Sequence, residues 1–329
     1  MKKFLLIGGL GFVGKNLSKY LSELGFEIYT IDLKSPSLQD KNFLNEYSIH
    51  YRQGNVNSAS FLKEIFSWSK FDGVYNLASQ VGIKNYISNP EEVIMTSILG
   101  SLNVANACIE SGTHMLFTST SEVLGKNLDT PWKEEADRVY GSSEIERWSY
   151  GSSKGVAEQL ILGMVKTKKL SATIIRFFNI YGSHQNPIFV VPKSISNCMN
   201  NLNPLLYDSG KQTRCFTYVE DALKALNILM KEKKQGIYHI GSNFEHTMEE
   251  VVLKVINNTN PSLQPEVFDT LKKYPGQYED IQRRVPDVTK IYEDIGWKAT
   301  TDLEKGIIKT IEWVKKNPWW LKQDSSTEI

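Results

Sequence analysis

Two short stretches carry side chains that can do acid–base work. In RWSYGSSKG, Tyr150 and Lys154 stand four residues apart, a spacing that puts both on one face of a helix. A phenol has an ordinary pKa of ~10, so it removes a proton near neutrality only if a neighbouring cation stabilises its anion. Lys154 can supply that cation. In STSEVLG, Thr120, Ser121 and Glu122 follow directly on the apolar run HMLFT. Hydroxyls and acids are poor strand formers, and a carboxylate beside a core is costly unless it is paired, solvated or working. A strand that ends on such residues is a candidate catalytic edge.

The elements that must hold these residues follow from periodicity. KFLLI (3–7) is a buried-strand run, and Val13, Leu17, Tyr20, Leu21 and Leu24 then recur at helical spacing up to Gly25. FEIYTID (26–32) is a second strand, which completes a βαβ unit. Gly8, Gly11 and Gly14 lie in its first turn, where the backbone must turn tightly and touch a pyrophosphate at the helix N-terminus. Asp32 ends the second strand 24 residues after Gly8, where a carboxylate binds a ribose with a free 2′-hydroxyl. That combination predicts NAD rather than NADP.

The alternation continues through IHYRQ (49–53), a helix from about Ser60, GVYNLA (73–78), a helix from Pro90 to before Gly112, MLFTST (115–120), the Tyr150 helix and a strand ATIIRFFNIYG (172–182). Repeated βα units give a parallel sheet covered on both faces. The expected fold is α/β, a Rossmann-like doubly wound parallel sheet with a smaller, irregular α/β C-terminal substrate-binding region. Residues 1–182 form the NAD-binding domain, and 215–245, including GIYHIGS (236–242), return to it. Residues 183–214 and 246–329 form the substrate region; there GSHQNPIFVVP, NNLNPLLYDSGKQTR and KKYPGQYEDIQRRVPD read as loops, and QDSSTEI as a frayed tail.

Bulk properties exclude several classes. With 38 basic and 37 acidic residues, net +1, no global field favours nucleic acid or an anionic membrane. Cys108, Cys198 and Cys215 and the five histidines lack metal-ligand spacing, so no metal is expected, and a reduced, cytoplasmic protein is. MKKFLLIGGLGFVG imitates a signal peptide, but glycines interrupt its apolar run. No run reaches the ~20 apolar residues of a membrane span.

The glycine spacing and the Thr-x-x-x-x-Gly…Tyr-x-x-x-Lys order resemble the extended short-chain dehydrogenase/reductase family, in its nucleotide-sugar group. The likeness runs through RFFNIYG (176–182), GKQTRCFTYVED (210–221) and RRVPD (283–287), and so covers nearly the whole chain. It implies that NAD is held by Gly8, Gly11, Phe12, Val13, Gly14 and Asp32 at one end. Asn55, Val56, Leu77, Ala78, Tyr150 and Lys154 complete that site. Thr120 would hydrogen-bond the reacting sugar oxygen, Tyr150 would be the base, and Lys154 would bind the nicotinamide ribose and lower the tyrosine pKa. Asn179, Val191, Arg214 and Arg284 would bind a nucleotide-diphosphate sugar, the two arginines gripping its diphosphate. His184 is a further candidate to face the sugar. Helices 90–111 and 147–165 would pair with a second copy as a homodimer. Asn55, Asn76, Ser97 and Leu124 depart from the commonest family pattern.

In such enzymes oxidation at sugar C4 gives a ketone that acidifies C5 and permits elimination, decarboxylation or inversion. Simple 4-epimerases tend to carry a small or hydroxyl residue where Glu122 stands, whereas elimination needs a base at C5. Thr-Ser-Glu resembles both uronic-acid decarboxylases and GDP-mannose-type 4,6-dehydratases. RWSYGSSK, GKQTRCFT and RRVPD lean toward a UDP-glucuronate-decarboxylase-like enzyme, and VYNLASQ (74–80) toward the dehydratases. A 4-epimerase, a net C4 oxidase and a non-catalytic NAD-binding sensor remain as alternatives.

Overall fold

A computed structural model describes residues 1–270 and 281–323. Residues 272–280 of the third expected loop, and 324–329 of the tail, lie outside them. In chain order the strands are β1 (Lys3–Ile7), β2 (Glu27–Asp32), β3 (His50–Gln53), β4 (Gly73–Asn76), β5 (His114–Thr120), β6 (Ala172–Phe177), β7 (Ile180–Tyr181), β8 (Leu205–Tyr207), β9 (Thr213–Cys215), β10 (Thr217–Tyr218), β11 (Gly236–Ile240), β12 (Glu245–Thr247), β13 (Glu266–Phe268) and β14 (Arg283–Arg284). Seven of them form one sheet ordered β11-β6-β5-β4-β1-β2-β3, with every neighbouring pair parallel. Its central strands are buried on both faces because they are continuous apolar runs, as Leu5, Leu6 and Ile7 illustrate. On one face Leu6, Leu116 and Ile175 pack with the helices Phe12–Glu23 and Val219–Glu232; on the other, Leu5, Phe117 and Ile174 pack with Ala59–Trp68, Ser101–Ser111 and Trp148–Lys168.

Strand order reverses between β1 and β4, so the crevice beyond their C-terminal ends is where a ligand of such a sheet binds. GIYHIGS supplies β11, which joins the sheet beside β6. The three-stranded sheet β12-β9-β14 and the pair β13-β8 stand beyond that crevice.

Three expectations are corrected. The run 172–182 is not one strand: β6 stops at Phe177, and β7 pairs with β10 instead. Asn179 lies between them at φ 41°, a conformation that Asn tolerates better than most side chains. The helix expected over 90–111 is broken by a π turn at Thr96–Gly100, a distortion frequent at functional sites. The same run, Pro90–Ser111, is long and apolar enough to cross a membrane by length and composition alone, although none was expected. Here Val93, Val104, Ala105 and Cys108 are buried within the protein, which accounts for part of that apolarity.

Candidate active site

A cavity of about 820 Å³ opens along the C-terminal ends of β1, β2, β4, β5 and β6. At one end is the glycine turn. Gly8 has φ +84°, and a Cβ there would lie 3.0 Å from Ala78 Cα. A Cβ on Gly14 would lie 2.4 Å from the Gly8 carbonyl oxygen, so the helix Phe12–Glu23 starts hard against the turn. Its N-cap, Gly11, makes no side-chain cap bond, which leaves the first helical amides for an anion. Asp32 accepts hydrogen bonds from the Leu10 N–H (3.0 Å) and the Lys34 N–H (3.1 Å). Those bonds fix the carboxylate where a dinucleotide ribose would lie.

Phe12, Val13, Asn55, Val56, Leu77 and Ala78 also line the cavity, and the Asn55 Oδ1 accepts from the Asn57 N–H at 2.9 Å. The residues present therefore fit NAD. A 2′-phosphate facing Asp32 would meet like charge, at a cost on the order of several kcal/mol. Isothermal titration is expected to show tighter binding of NAD than of NADP; the reverse order would remove Asp32 from the ribose site.

At the other end β5 runs into a tight turn. Thr120 caps it, its Oγ1 accepting from the Glu122 N–H at 3.2 Å. Arg176 and Glu158 anchor the helix Trp148–Lys168 to β6: Nε donates to Oε1 at 2.9 Å and Nη2 to Oε2 at 2.7 Å, with both residues buried. That bidentate geometry holds the helix face carrying Tyr150 and Lys154 toward the cavity wall.

Tyr150 is buried and stacks on Tyr86, with ring centroids 4.9 Å apart and planes 7° apart. Burial, then the Glu122 charge, push the phenol well above its ordinary value, while the Ser79 and Thr120 hydroxyls and Arg147 pull the other way. Lys154 Nζ donates to the Thr118 carbonyl at 2.9 Å and lies over the Phe117 ring. Burial brings its pKa down to about 7, with Glu158 opposing. The cation that acts on the phenol is the Arg147 guanidinium.

Glu122, the candidate base at the strand end, is clasped by arginines. Arg147 Nη1 lies 2.5 Å from Oε2, and Arg284 Nη1 lies 3.5 Å from Oε1. Burial alone would raise its pKa; Arg147, Arg284 and the more remote Arg214 outweigh that and hold the carboxyl below its usual range. Arg284 Nη1 also approaches Ser121 Oγ at 3.4 Å.

Arg214 and Arg284 stand directly opposite one another across the parallel pair β9 and β14. They are neighbours, and one of them reaches the reacting end. Asn179 donates to the Cys215 carbonyl at 3.2 Å; with Val191 it lines the same cavity. His184 does not. It is wedged between Phe43 and Trp313, and burial, aided by Lys15 and Lys19, takes its pKa down to about 3.

Two residues of this site escaped the sequence: Arg147, which reads as an ordinary charge ahead of a helix although it stands one turn before Tyr150, and Tyr86, whose stretch carries no signal beyond an aromatic ring.

A parallel sheet with a glycine-lined crevice at its switch point, and a tyrosine–lysine pair beside a strand-end hydroxyl, define a dinucleotide-dependent enzyme of Rossmann type. The family described as GDP-mannose 4,6 dehydratase matches residues 5–310. A UDP-N-acetyl-alpha-D-glucosaminuronate decarboxylase of Bacillus cytotoxicus is 34% identical over 96% of this chain and 98% of its own. A dTDP-D-glucose 4,6-dehydratase of Mus musculus is 30% identical over 96% and 89%. Among solved structures, a UDP-glucose 4-epimerase of Thermotoga maritima with UDP-glucose has a TM-score of 0.85 at 24% identity, over 96% of this chain and 99% of that one. A dTDP-glucose 4,6-dehydratase of Bacillus anthracis in complex with NAD scores 0.84 at 23% identity, over 98% and 100%. The chain belongs to the extended short-chain dehydrogenase/reductase family, among its nucleotide-sugar decarboxylases, dehydratases and epimerases.

Proposed function

We propose that this protein decarboxylates a nucleotide-diphosphate uronic acid, with a UDP-glucuronate-type substrate as first candidate. The clasp on Glu122 carries this choice. A 4,6-elimination needs a carboxylate able to take the C5 proton, and two guanidiniums at 2.5 and 3.5 Å make Glu122 a weak base. Loss of CO2 from a 4-keto uronic acid needs no such base, because the bond that breaks already carries the electrons to C5. Arg284, beside Ser121, has the fork to hold the substrate carboxylate. The Bacillus cytotoxicus relative supports the same choice.

Tyr150 takes the C4 hydroxyl proton while Thr120 donates to the oxygen as charge gathers on it. Gly8, Gly11, Gly14 and Asp32 would hold NAD, with Lys154 at the nicotinamide ribose, and the cofactor would supply reversible hydride chemistry at C4. Residues 1–182 and 215–245 form the cofactor domain, and 183–214 and 246–329 bind the nucleotide sugar, with Asn179, Val191 and Arg214 on its diphosphate side. The second reading is a GDP-mannose-type 4,6-dehydratase, favoured by the family match. Mass spectrometry of products from UDP-, GDP-, CDP- and dTDP-linked uronic acids and hexoses separates the two. Loss of CO2 from a uronate is expected, and loss of water from a hexose would establish the dehydratase.

A homodimer is part of the same proposal. Only 39% of the apolar stretch within Pro90–Ser111 is buried, and Met95, Val156 and Leu162 are exposed on the helices expected to pair. Light scattering at micromolar concentration is expected to give twice the chain mass; a monomer would contradict it. The three cysteines are free and buried, which suits the cytoplasmic setting proposed for it.

A further inference from the structure

We propose that Arg147 is a positioning residue that fixes the Glu122 carboxylate and screens its charge from the Tyr150 phenol. The inference rests on the roles given above to Glu122 and Tyr150.

Arg147 is the N-cap of the helix Trp148–Lys168, where a cation opposes the helix dipole. Helix stability therefore does not explain an arginine there. It is 2% exposed and its guanidinium lies 5.6 Å from the Trp148 ring centroid, so the head group has no solvated alternative. Its Nη1 meets Glu122 Oε2 at 2.5 Å. The pair spans two elements already in backbone contact: a Cβ on Gly151 would lie 2.6 Å from the Glu122 carbonyl oxygen. One turn separates Arg147 from Tyr150 on the same helical face, so the arginine joins acid and phenol to one rigid segment.

The charged and titratable groups around these two side chains come from several elements. Tyr150 faces Glu122, Arg147 and Tyr86, with Ser79 and Thr120 beside it and Lys154 on its own helix. Glu122 faces Arg147, Arg284 and Arg214, with Tyr86 and Tyr140 within reach of its charge. In this setting the Glu122 charge opposes formation of the phenolate and the Arg147 charge favours it. Arg147 thus offsets part of the larger Glu122 effect.

Arg147→Met is expected to shift the pH profile of the first half-reaction, followed as the rise of nicotinamide absorbance after rapid mixing with nucleotide sugar, by about one unit toward alkaline pH. Arg147→Lys should recover most of that shift. Glu122→Gln alone should move the profile the other way, toward acid pH, and Arg147→Met added to it should bring the profile back toward wild type.

A second readout needs no substrate. The stability contributed by a depressed carboxylate is present above its unfolded pKa and is lost as pH falls through the folded pKa. Removing Arg147 raises the folded pKa of Glu122 toward its unfolded value, so Arg147→Met should start from lower thermal stability at neutral pH and lose less of it on acidification than wild type, and Glu122→Gln should abolish that difference. An unmoved kinetic profile, or a stability difference that persists undiminished beside Glu122→Gln, would overturn the proposal and leave Arg147 as a scaffold for the helix start. If wild type reduces no nicotinamide with any nucleotide sugar, the proposed reaction fails, and the pH dependence of stability still decides the role of Arg147.

Discussion

The Glu122→Gln variant, mixed with its nucleotide sugar, accumulates a 4-keto sugar and reduced nicotinamide and forms final product more slowly than wild type by on the order of 10²-fold, about 2.7 kcal/mol. The amide keeps the shape of the side chain and loses its charge. Arg147 and Arg284, 2.5 and 3.5 Å from the native carboxylate, then present positive charge that Glu122 no longer answers. A substrate carboxylate held by that charge is stabilised before CO2 leaves, so the barrier to its loss rises. Oxidation at C4 runs through Tyr150 and Thr120 and survives. Rapid-quench analysis of sugar intermediates alongside absorbance checks this. Normal product at the normal rate would make Glu122 a structural partner of Arg147 alone.

Tyr150→Phe has the opposite signature. The first half-reaction falls by roughly 10²–10⁴, the usual worth of a positioned acid–base group, and the cofactor stays oxidised. Phe keeps the ring that stacks on Tyr86 and packs with Val93, so a loss of this size cannot be assigned to packing. Single-turnover absorbance with wild-type thermal stability is the measurement. A variant that still reduces the nicotinamide at the wild-type rate would move the base elsewhere.

The parts of this molecule that were legible in the sequence are those fixed by local chemistry. Gly8 needs a positive φ and Gly14 a close approach, and both needs are written in residue type. Tyr150 and Lys154 share a face because four residues make about one turn. Glu122 stood out as an acid at a strand end.

Partners that come from distant segments were not legible. Arg284 reaches Ser121 across 163 residues of sequence, and its place opposite Arg214 is set by a strand register. Two arginines far apart in the chain could be read as a pair only through the family resemblance, and nothing in their spacing pointed to Glu122. The arginines around Glu122 were hidden in the same way, since a carboxylate's basicity depends on neighbours that spacing does not reveal. His184 follows the NIYG segment and so had a sugar-facing option beside the structural one, and its packing between Phe43 and Trp313 is the structural one. The break at Asn179 was hidden because FFNIY is apolar and β-branched enough to pass for one strand.

The order of events is open to a single experiment: rapid mixing of the NAD-loaded protein with a UDP-linked uronic acid labelled at C6, following nicotinamide absorbance and labelled CO2 together. The proposed reaction predicts an absorbance rise that precedes CO2 release, decays after it, and leaves oxidised cofactor beside a nucleotide-linked pentose. Labelled carbon retained in every product, with water lost from a nucleotide hexose instead, would contradict it.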